Sequence, residues 1–116
     1  MAMIMVLEDM DDTRNLVALV MQAMGHETRT AATGHEALKL AMSMEFDAYL
    51  LDIGLPDMSG FEVARFIRHL HGEKPRVLAL TGYAGRTMRV QCLNAGFDYY
   101  VLKPCDCVKI EQLLTH

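Results

Sequence analysis

The chain has 116 residues and a formal net charge of −4 at pH 7, and this length fits one compact domain. Its hydrophobic fraction of 52% is too high for a disordered chain, and its acidity excludes the broad basic field that attracts nucleic acid. No uninterrupted apolar run reaches the roughly 18 residues of a membrane span. We therefore expect residues 1–116 to form a single domain that neither enters a membrane nor contacts nucleic acid directly.

The cysteine content favours a reducing compartment. The chain holds three cysteines, Cys92, Cys105 and Cys107, an odd number that does not suggest a disulfide framework. The opening apolar segment Met1–Leu7 is too short for a secretory signal. Cys105 and Cys107 also lack the usual spacing of a zinc site. We expect a cytoplasmic protein in which these thiols bind no metal.

Short segments that predict strands, most of them apolar, recur along the whole chain. They are Met3–Leu7, Glu27–Ala31, Ala48–Leu51, Val77–Leu80 and Tyr99–Leu102. The central runs lack polar alternation, which is typical of strands buried on both faces. Amphipathic stretches with helix start and stop signals separate the runs. In chain order these are a helix capped by Asp12 that runs through Met24 and stops at Gly25, two helices begun by the capping boxes Thr33–Glu36 and Ser59–Glu62, the helix Arg86–Ala95 closed by Gly96, and a helix from an Asp106 cap to Leu114.

The strict alternation of strands and helices predicts an α/β fold. Parallel strands need crossover connections, which the helices provide, and such crossovers are right-handed. We expect a flavodoxin-like, doubly wound five-stranded parallel sheet in the order 2-1-3-4-5, covered by five helices. In such folds the functional site lies beyond the carboxyl ends of the strands.

Polar residues stand at the carboxyl ends of four predicted strands. Glu8 and Asp9 follow the first strand, Asp52 the third, Thr81 the fourth and Lys103 the fifth. Because the carboxyl ends of parallel strands lie along one edge of a sheet, these side chains should converge on one pocket.

Three carboxylates in one pocket need a compensating positive charge. Two unit charges about 4 Å apart, at an effective dielectric constant near 20, repel each other by about 4 kcal/mol. Protonation, a cation or both would offset this repulsion. Oxygen ligands with open positions suit Mg²⁺, or Mn²⁺, and Mg²⁺ favours phosphate oxygens. A carboxylate nucleophile beside a hard cation, the Lys103 amine and the Thr81 hydroxyl would form a phosphoryl-transfer site.

Four short segments at these strand ends carry a family resemblance. They read Val6-Leu7-Glu8-Asp9, Leu51-Asp52-Ile53-Gly54-Leu55-Pro56-Asp57-Met58-Ser59-Gly60, Ala79-Leu80-Thr81-Gly82 and Val101-Leu102-Lys103-Pro104. With these segments in this order and spacing, the chain resembles the bacterial response-regulator receiver family over essentially its full length. The resemblance implies a domain that is switched by transient phosphorylation.

The resemblance also implies a role for each acidic residue of the pocket. Asp52 would be the phosphoacceptor. Asp9 and Asp52 would hold Mg²⁺ directly, with Glu8 assisting through water and the backbone carbonyl of Gly54 supplying another ligand. Glu8 stands where the family commonly has Asp, which changes its reach but not its charge. Position 54 often carries a longer side chain that lines the path of the hydrolytic water, so Gly54 leaves the lifetime of the phosphoryl group open.

The remaining matched residues take their roles from the same resemblance. Thr81 would donate a hydrogen bond to a phosphoryl oxygen, and Lys103 would pair with the phosphoryl group. Tyr100 lies where the family often places an aromatic switch residue that acts with Thr81, and a plain half-buried strand tyrosine is the alternative. The Lys103–Pro104 peptide bond is expected to be cis, an isomer that proline makes accessible. Asp57 is expected to serve only the turn of its loop.

The predicted function is a phosphorylation switch that acts catalytically only on itself. The phosphodonor would be a phosphohistidine on a histidine kinase or on a histidine phosphotransfer protein. One alternative is a degenerate receiver that acts as a constitutive interaction module. Another is a magnesium-dependent phosphatase with an aspartyl-phosphate intermediate, although Gly54 occupies the second acidic position of its Asp-x-Asp motif. A stand-alone regulator and the receiver of a hybrid kinase both fit, and Thr81-Gly82-Tyr83 looks more like the second.

The first predicted helix offers a candidate docking face for the phosphodonor. Leu16, Val20 and Met24 recur at helical spacing and predict the buried stripe, which places Ala18 and Leu19 on the outer side. An exposed Leu19 would suit contact with the protein that presents the phosphohistidine. Single exposed apolar residues are also common on ordinary surfaces, so both interpretations stay open.

Overall fold

The protein alternates strictly between strands and helices. A computed structural model describes residues 2–104 and 106–115, except for the side chain of Thr115. The elements are β1 (Met3–Leu7), α1 (Asp11–Ala23), β2 (Glu27–Ala31), α2 (Gly34–Ser43), β3 (Ala48–Asp52), α3 (Gly60–His71), β4 (Arg76–Thr81), α4 (Arg86–Ala95), β5 (Tyr99–Leu102) and α5 (Cys107–Thr115). Within these described ranges, every helix is too short or too polar to cross a membrane. Cys105 lies outside the described residues, so the expectation for its thiol stays a prediction.

The five strands form one parallel sheet in the order β2-β1-β3-β4-β5, which confirms the predicted doubly wound topology. Because β1 lies between β2 and β3, the winding direction of the chain reverses after β2, and a crevice opens at the carboxyl ends of the neighbouring strands β1 and β3. In the register of the sheet, Leu7 pairs with Leu51 and Asp52 pairs with Leu80. This register brings the last residues of the central strands to the same edge.

Successive side chains of the strands enter two separate cores. On one face, the sheet packs against α1 and α5 through Ile4, Val6, Ala48, Leu50, Leu78, Leu80 and Val101 from the strands and Val17, Met21 and Ile110 from the helices. On the other face, it packs against α2, α3 and α4. Every residue of β3 is buried. Burial on both faces explains the unbroken apolar sequence that precedes Asp52.

The buried side of α1 differs from the predicted one. Its buried residues are Val17, Ala18 and Met21. Leu16 is 58% exposed and Met24 is 37% exposed, so the predicted inward stripe is wrong at these two residues, whereas Val20 is half-buried and packs against the core. Ala18 lies inside rather than outside. Leu19, at 63% exposed, lies outside as predicted. Residues 16–21 are all apolar, and helical spacing alone could not choose among the possible stripes.

Side-chain caps begin most of the predicted helices. Thr33, Ser59 and Asp106 each accept a hydrogen bond from backbone N–H groups in the first turns of α2, α3 and α5. At α1 the prediction is wrong, because the helix begins before Asp12 and its N-cap residue is Met10, whose side chain accepts no capping hydrogen bond. The negative charge of Asp12 in the first turn still favours the helix dipole.

Candidate functional site

The acidic residues predicted to converge lie together at the carboxyl edge of the sheet. Glu8 and Asp9 follow β1, Asp52 ends β3, and one carboxylate oxygen from each lies within 4.8 Å of the others. Glu8 is fully buried and Asp52 is 4% exposed, whereas Asp9 is exposed. The cluster therefore has a buried floor made by two acids and a solvent-facing acid at its mouth.

Lys103 supplies the positive charge of the pocket. Its Nζ lies 2.7 Å from Glu8 Oε1 and 3.1 Å from Asp52 Oδ1, and the contact with Glu8 is an ion pair rather than a well-directed hydrogen bond. Glu8 Oε2 accepts a hydrogen bond from the Met10 N–H at 3.0 Å, and Asp52 Oδ1 accepts one from the Gly54 N–H at 3.2 Å. Each buried acid thus has a charged partner and a backbone partner, as burial of a carboxylate requires.

Burial and neighbouring charges change the proton affinities of the pocket. Burial raises the pKa of Asp52 to about 7, the Glu8 carboxylate adds to the rise, and Lys103 opposes it. The pKa of Asp9 lies below its ordinary value. Burial by itself would raise this pKa, but hydrogen bonding with Glu8 and Asp52 outweighs the effect of burial. Burial lowers the pKa of Lys103, and the two buried acids outweigh this effect and raise it. The ordinary charged form of Asp52 is thus disfavoured in this pocket, and its pKa lies near neutral pH.

The Thr81 hydroxyl lies at the end of β4 and is engaged by the following loop. Its Oγ1 accepts a hydrogen bond from the Tyr83 N–H at 3.0 Å and donates to the Tyr83 carbonyl at 3.3 Å. The Thr81 carbonyl accepts a hydrogen bond from the Lys103 N–H at 2.8 Å, which ties the ends of β4 and β5 together. A phosphoryl oxygen would therefore have to replace the Tyr83 carbonyl as the acceptor of the Thr81 hydroxyl proton.

Tyr100 lies outside the acidic pocket. It is half-buried in β5 and packs against the core shared with α2, α3 and α4. It also lines a cleft of about 700 Å³ bounded by α4, β5 and α5, to which neither Asp52 nor Lys103 contributes. The Lys103–Pro104 peptide bond that follows β5 is cis, as expected.

The loop after β3 folds tightly beside the phosphoacceptor candidate. Gly54 forms an antiparallel bridge with Ser59, and the Gly60 N–H donates to the Ile53 carbonyl at 2.9 Å. A Cβ atom on Gly60 would lie 2.3 Å from the Asp52 carbonyl oxygen, which leaves room for glycine only. The start of α3 therefore packs directly on the end of β3 and restrains the backbone on which the Asp52 carboxylate stands.

Asp57 has a role that its sequence position did not indicate. Its carboxylate accepts hydrogen bonds from the backbone N–H groups of Gly34 at 2.9 Å and His35 at 3.0 Å, and it contacts the His35 ring. The His35 ring, with these backbone donors, holds the pKa of Asp57 well below its usual range. Asp57 thus caps α2 and ties the loop after β3 to that helix, instead of serving its own turn alone.

Known proteins match this chain over nearly its whole length. The family model described as the response regulator receiver domain matches residues 4–115. The transcriptional regulatory protein SrrA of Staphylococcus aureus is 35% identical over 101 residues, which are 87% of this chain and 41% of SrrA. The chain thus spans about two fifths of the length of the curated relatives it matches.

Solved structures agree with the family match. The chemotaxis protein CheY4 of Vibrio cholerae has a TM-score of 0.93 and 28% identity, covering 99% of this chain and 97% of CheY4. The response regulator TrrA of Thermotoga maritima, solved in complex with Mg²⁺ and BeF, has a TM-score of 0.88 and 31% identity, covering 99% of this chain and 97% of TrrA. Since the family model, the sheet order and the acidic edge agree, the chain belongs to the response regulator receiver domain family of two-component systems.

Proposed function

We propose that this receiver domain accepts a phosphoryl group on Asp52 from a phosphohistidine donor, with Mg²⁺ or Mn²⁺ as its cofactor. The donor is a histidine kinase or a histidine phosphotransfer protein. The observation that carries the proposal is a nearly buried carboxylate at a strand end, 3.1 Å from Lys103 Nζ and clustered with two further acids. Such a cluster is costly in an empty pocket and becomes favourable once a cation and a phosphoryl group neutralise it.

The donor atoms of the pocket fit a hard divalent cation. Oxygen ligands only, with room for water and phosphoryl oxygens, are the environment that Mg²⁺ prefers. Asp9, Asp52 and the Gly54 carbonyl would hold the ion, with Glu8 assisting through water. The complex of TrrA with Mg²⁺ and BeF supports the same cofactor here. When bound, the ion supplies charge neutralisation between the carboxylates and the phosphoryl oxygens.

Phosphoryl transfer then needs little movement of the protein. An Asp52 carboxylate oxygen attacks the phosphorus atom, the bond from phosphorus to the donor imidazole nitrogen breaks, and that nitrogen keeps the electron pair. Lys103 exchanges its carboxylate partners for a phosphoryl oxygen, and Thr81 exchanges Tyr83 for another. The second exchange frees the loop after β4, and Tyr100 transmits the change toward partner proteins. Hydrolysis of the aspartyl phosphate by water restores the first state, so the domain catalyses only reactions of its own carboxylate.

Residues 1–116 act as one domain in the cytoplasm, where histidine kinases and phosphotransfer proteins can reach the pocket. Its signal passes through protein contacts and not through nucleic acid, in keeping with the net charge of −4.

Acetyl phosphate tests the assignment of Asp52. With Mg²⁺, it should add one hydroxylamine-labile phosphoryl group to the wild-type chain, seen as a single adduct by intact mass spectrometry. Asp52→Asn should take none, because the amide is not a nucleophile, and EDTA should abolish labelling of the wild type. Asp12→Asn, an exposed acid of α1, is the matched control and should be labelled normally.

Two outcomes would contradict the assignment. Labelling of Asp52→Asn at the wild-type level would move the phosphoacceptor elsewhere. An unlabelled wild type would favour a constitutive interaction module, and turnover of a generic phosphomonoester would favour a phosphatase.

A further inference from the structure

The turn between β1 and α1 carries two of the three acids, and an arginine outside the pocket holds this turn. Arg14 lies in the first turn of α1 with its side chain 15% exposed. Its Nη1 donates a hydrogen bond to the Glu8 carbonyl oxygen at 3.0 Å, and its Nη2 donates to Asp11 Oδ1 at 2.6 Å. A planar guanidinium with both arms engaged is a rigid support, which a lysine could not reproduce.

The Arg14 bond restrains the peptide unit that matters most to the metal site. The Glu8 carbonyl belongs to the peptide unit that joins Glu8 to Asp9. The amide on the other side of Glu8 donates to the Ala31 carbonyl at 3.1 Å in the edge strand, and the Glu8 side chain accepts from the Met10 N–H. Neither of those bonds involves the peptide unit between Glu8 and Asp9, so the hydrogen bond from Arg14 is the one that restrains its orientation. The direction in which the Asp9 side chain projects from the backbone therefore depends on Arg14, five residues later in the sequence.

Asp9 needs this support more than its neighbours do. Glu8 and Asp52 are buried, so packing fixes them, whereas Asp9 is exposed at the mouth of the cluster. A small rotation of the peptide plane before Asp9 would swing its carboxylate away from Asp52. Metal affinity is sensitive to such displacements, because ligand groups must be held close to their productive geometry.

We propose that Arg14 is a positioning residue for the magnesium site, which aims Asp9 at the ion through the Glu8 carbonyl and is itself anchored by Asp11. The inference rests on the proposed magnesium-dependent function. Arg14 acts through Asp9 and not on the phosphoryl group, so it should set the affinity for Mg²⁺ and not the rate of transfer once the ion is bound.

The experiment measures Mg²⁺ affinity and transfer separately. A MgCl₂ titration followed by the melting temperature gives the affinity, and acetyl-phosphate labelling across the same titration gives the rate. Arg14→Gln should weaken the affinity about tenfold, in the range found when an outer support of a metal site is removed. Its labelling rate at saturating Mg²⁺ should stay close to the wild-type rate. Arg14→Lys keeps the charge but lacks the planar guanidinium that bonds Glu8 and Asp11 at once, so it should not restore the affinity.

Two further variants keep the test decisive. Asp11→Ala removes an exposed anchor of the guanidinium and should weaken the affinity less than Arg14→Gln does, which also covers the case in which that variant fails to fold. Arg29→Gln is the matched control. It removes the same charge from an exposed β2 residue whose Nη1 also donates to a backbone carbonyl, that of Thr28 at 3.2 Å. Its Mg²⁺ affinity should equal that of the wild type.

The outcomes separate this inference from the proposed function. Unchanged affinity in Arg14→Gln or, should that variant not fold, in Asp11→Ala would overturn the positioning role. Full rescue by Arg14→Lys would replace it with a simple charge effect, and equal weakening in Arg29→Gln would do the same. A wild-type chain with no response to Mg²⁺ would instead overturn the proposed function.

Discussion

Asp52 is a side chain whose charge the fold disfavours. It is 4% exposed, and burial together with the Glu8 carboxylate raises its pKa from 3.8 to about 7. An acid with a raised folded-state pKa binds more protons in the folded chain than in the unfolded chain between those two values. Its ionisation therefore destabilises the fold increasingly as the pH rises from about 4 to about 7, and the loss is complete above that range.

Removing this charge should stabilise the chain when no divalent cation is present. Asp52→Asn should gain about 1–3 kcal/mol in the free energy of unfolding at pH 8, because the amide cannot ionise. At pH 4 most of the gain should disappear, since Asp52 is then protonated in the folded chain and partly protonated in the unfolded one. Urea unfolding in EDTA at the two pH values measures the difference. A gain of equal size at both would show that relief of charge is not its cause.

At the scale of elements, α1 is a helix with apolar residues on two sides. Val17 and Met21 fill the core, whereas Leu16 and Leu19 are 58% and 63% exposed. Residues three apart share one face of a helix, so the two leucines form a common exposed patch. α1 begins shortly after the acids of the pocket, so a protein docked on this patch would present its histidine near the mouth of the pocket.

Leu19→Asp should separate docking from chemistry. Transfer from a cognate phosphohistidine protein should slow at least about tenfold, the effect expected for an important interface residue. Labelling by acetyl phosphate should not change, because this small donor needs no docking surface. Time courses with the two donors make the comparison. Met42→Asp, at a residue of α2 that is 61% exposed, is the matched control on the opposite face of the sheet and should affect neither donor.

The Leu19 experiment can fail in two informative ways. If Leu19→Asp impairs both donors equally, the substitution has damaged the fold. If it impairs neither, Leu19 is an ordinary exposed residue.

For the whole molecule, occupancy of the acidic pocket should be visible as stability. A ligand that binds only the folded state at ten times its Kd adds about 1.4 kcal/mol to the free energy of unfolding. In a domain of this size that corresponds to a rise of about 5 °C in melting temperature. Titration with MgCl₂ should show this rise by scanning fluorimetry, and Asp9→Asn should reduce it.

Salt provides the control for the magnesium titration. NaCl at matched ionic strength screens the repulsion among the acids without filling a specific site. An equal rise in melting temperature with NaCl would mean that the pocket binds no cation specifically.

The sequence by itself determined the order of the elements and the edge of the sheet on which the site lies. Four of the five strands are mainly apolar, β2 being the polar exception, and capping residues such as Thr33 and Asp106 mark helix starts, so local patterns suffice for most elements. Strict alternation then requires a parallel sheet, whose strands all end at one edge. Glu8, Asp52 and Lys103 could therefore be placed together although they are far apart in the chain.

Only the tertiary structure decided which partner each side chain takes. The buried side of α1 was wrongly predicted because its apolar residues offer several stripes, and packing against the sheet selects one. Asp57 caps α2 by accepting a hydrogen bond from the N–H of His35, a residue 22 positions earlier in the chain. The Arg14 side chain donates to the Glu8 carbonyl instead of extending into solvent. Periodicity specifies which residues share a face, but a hydrogen bond between two elements forms only if the donor–acceptor distance is correct to within a few tenths of an ångström. Those distances exist only once the helices have packed on the sheet.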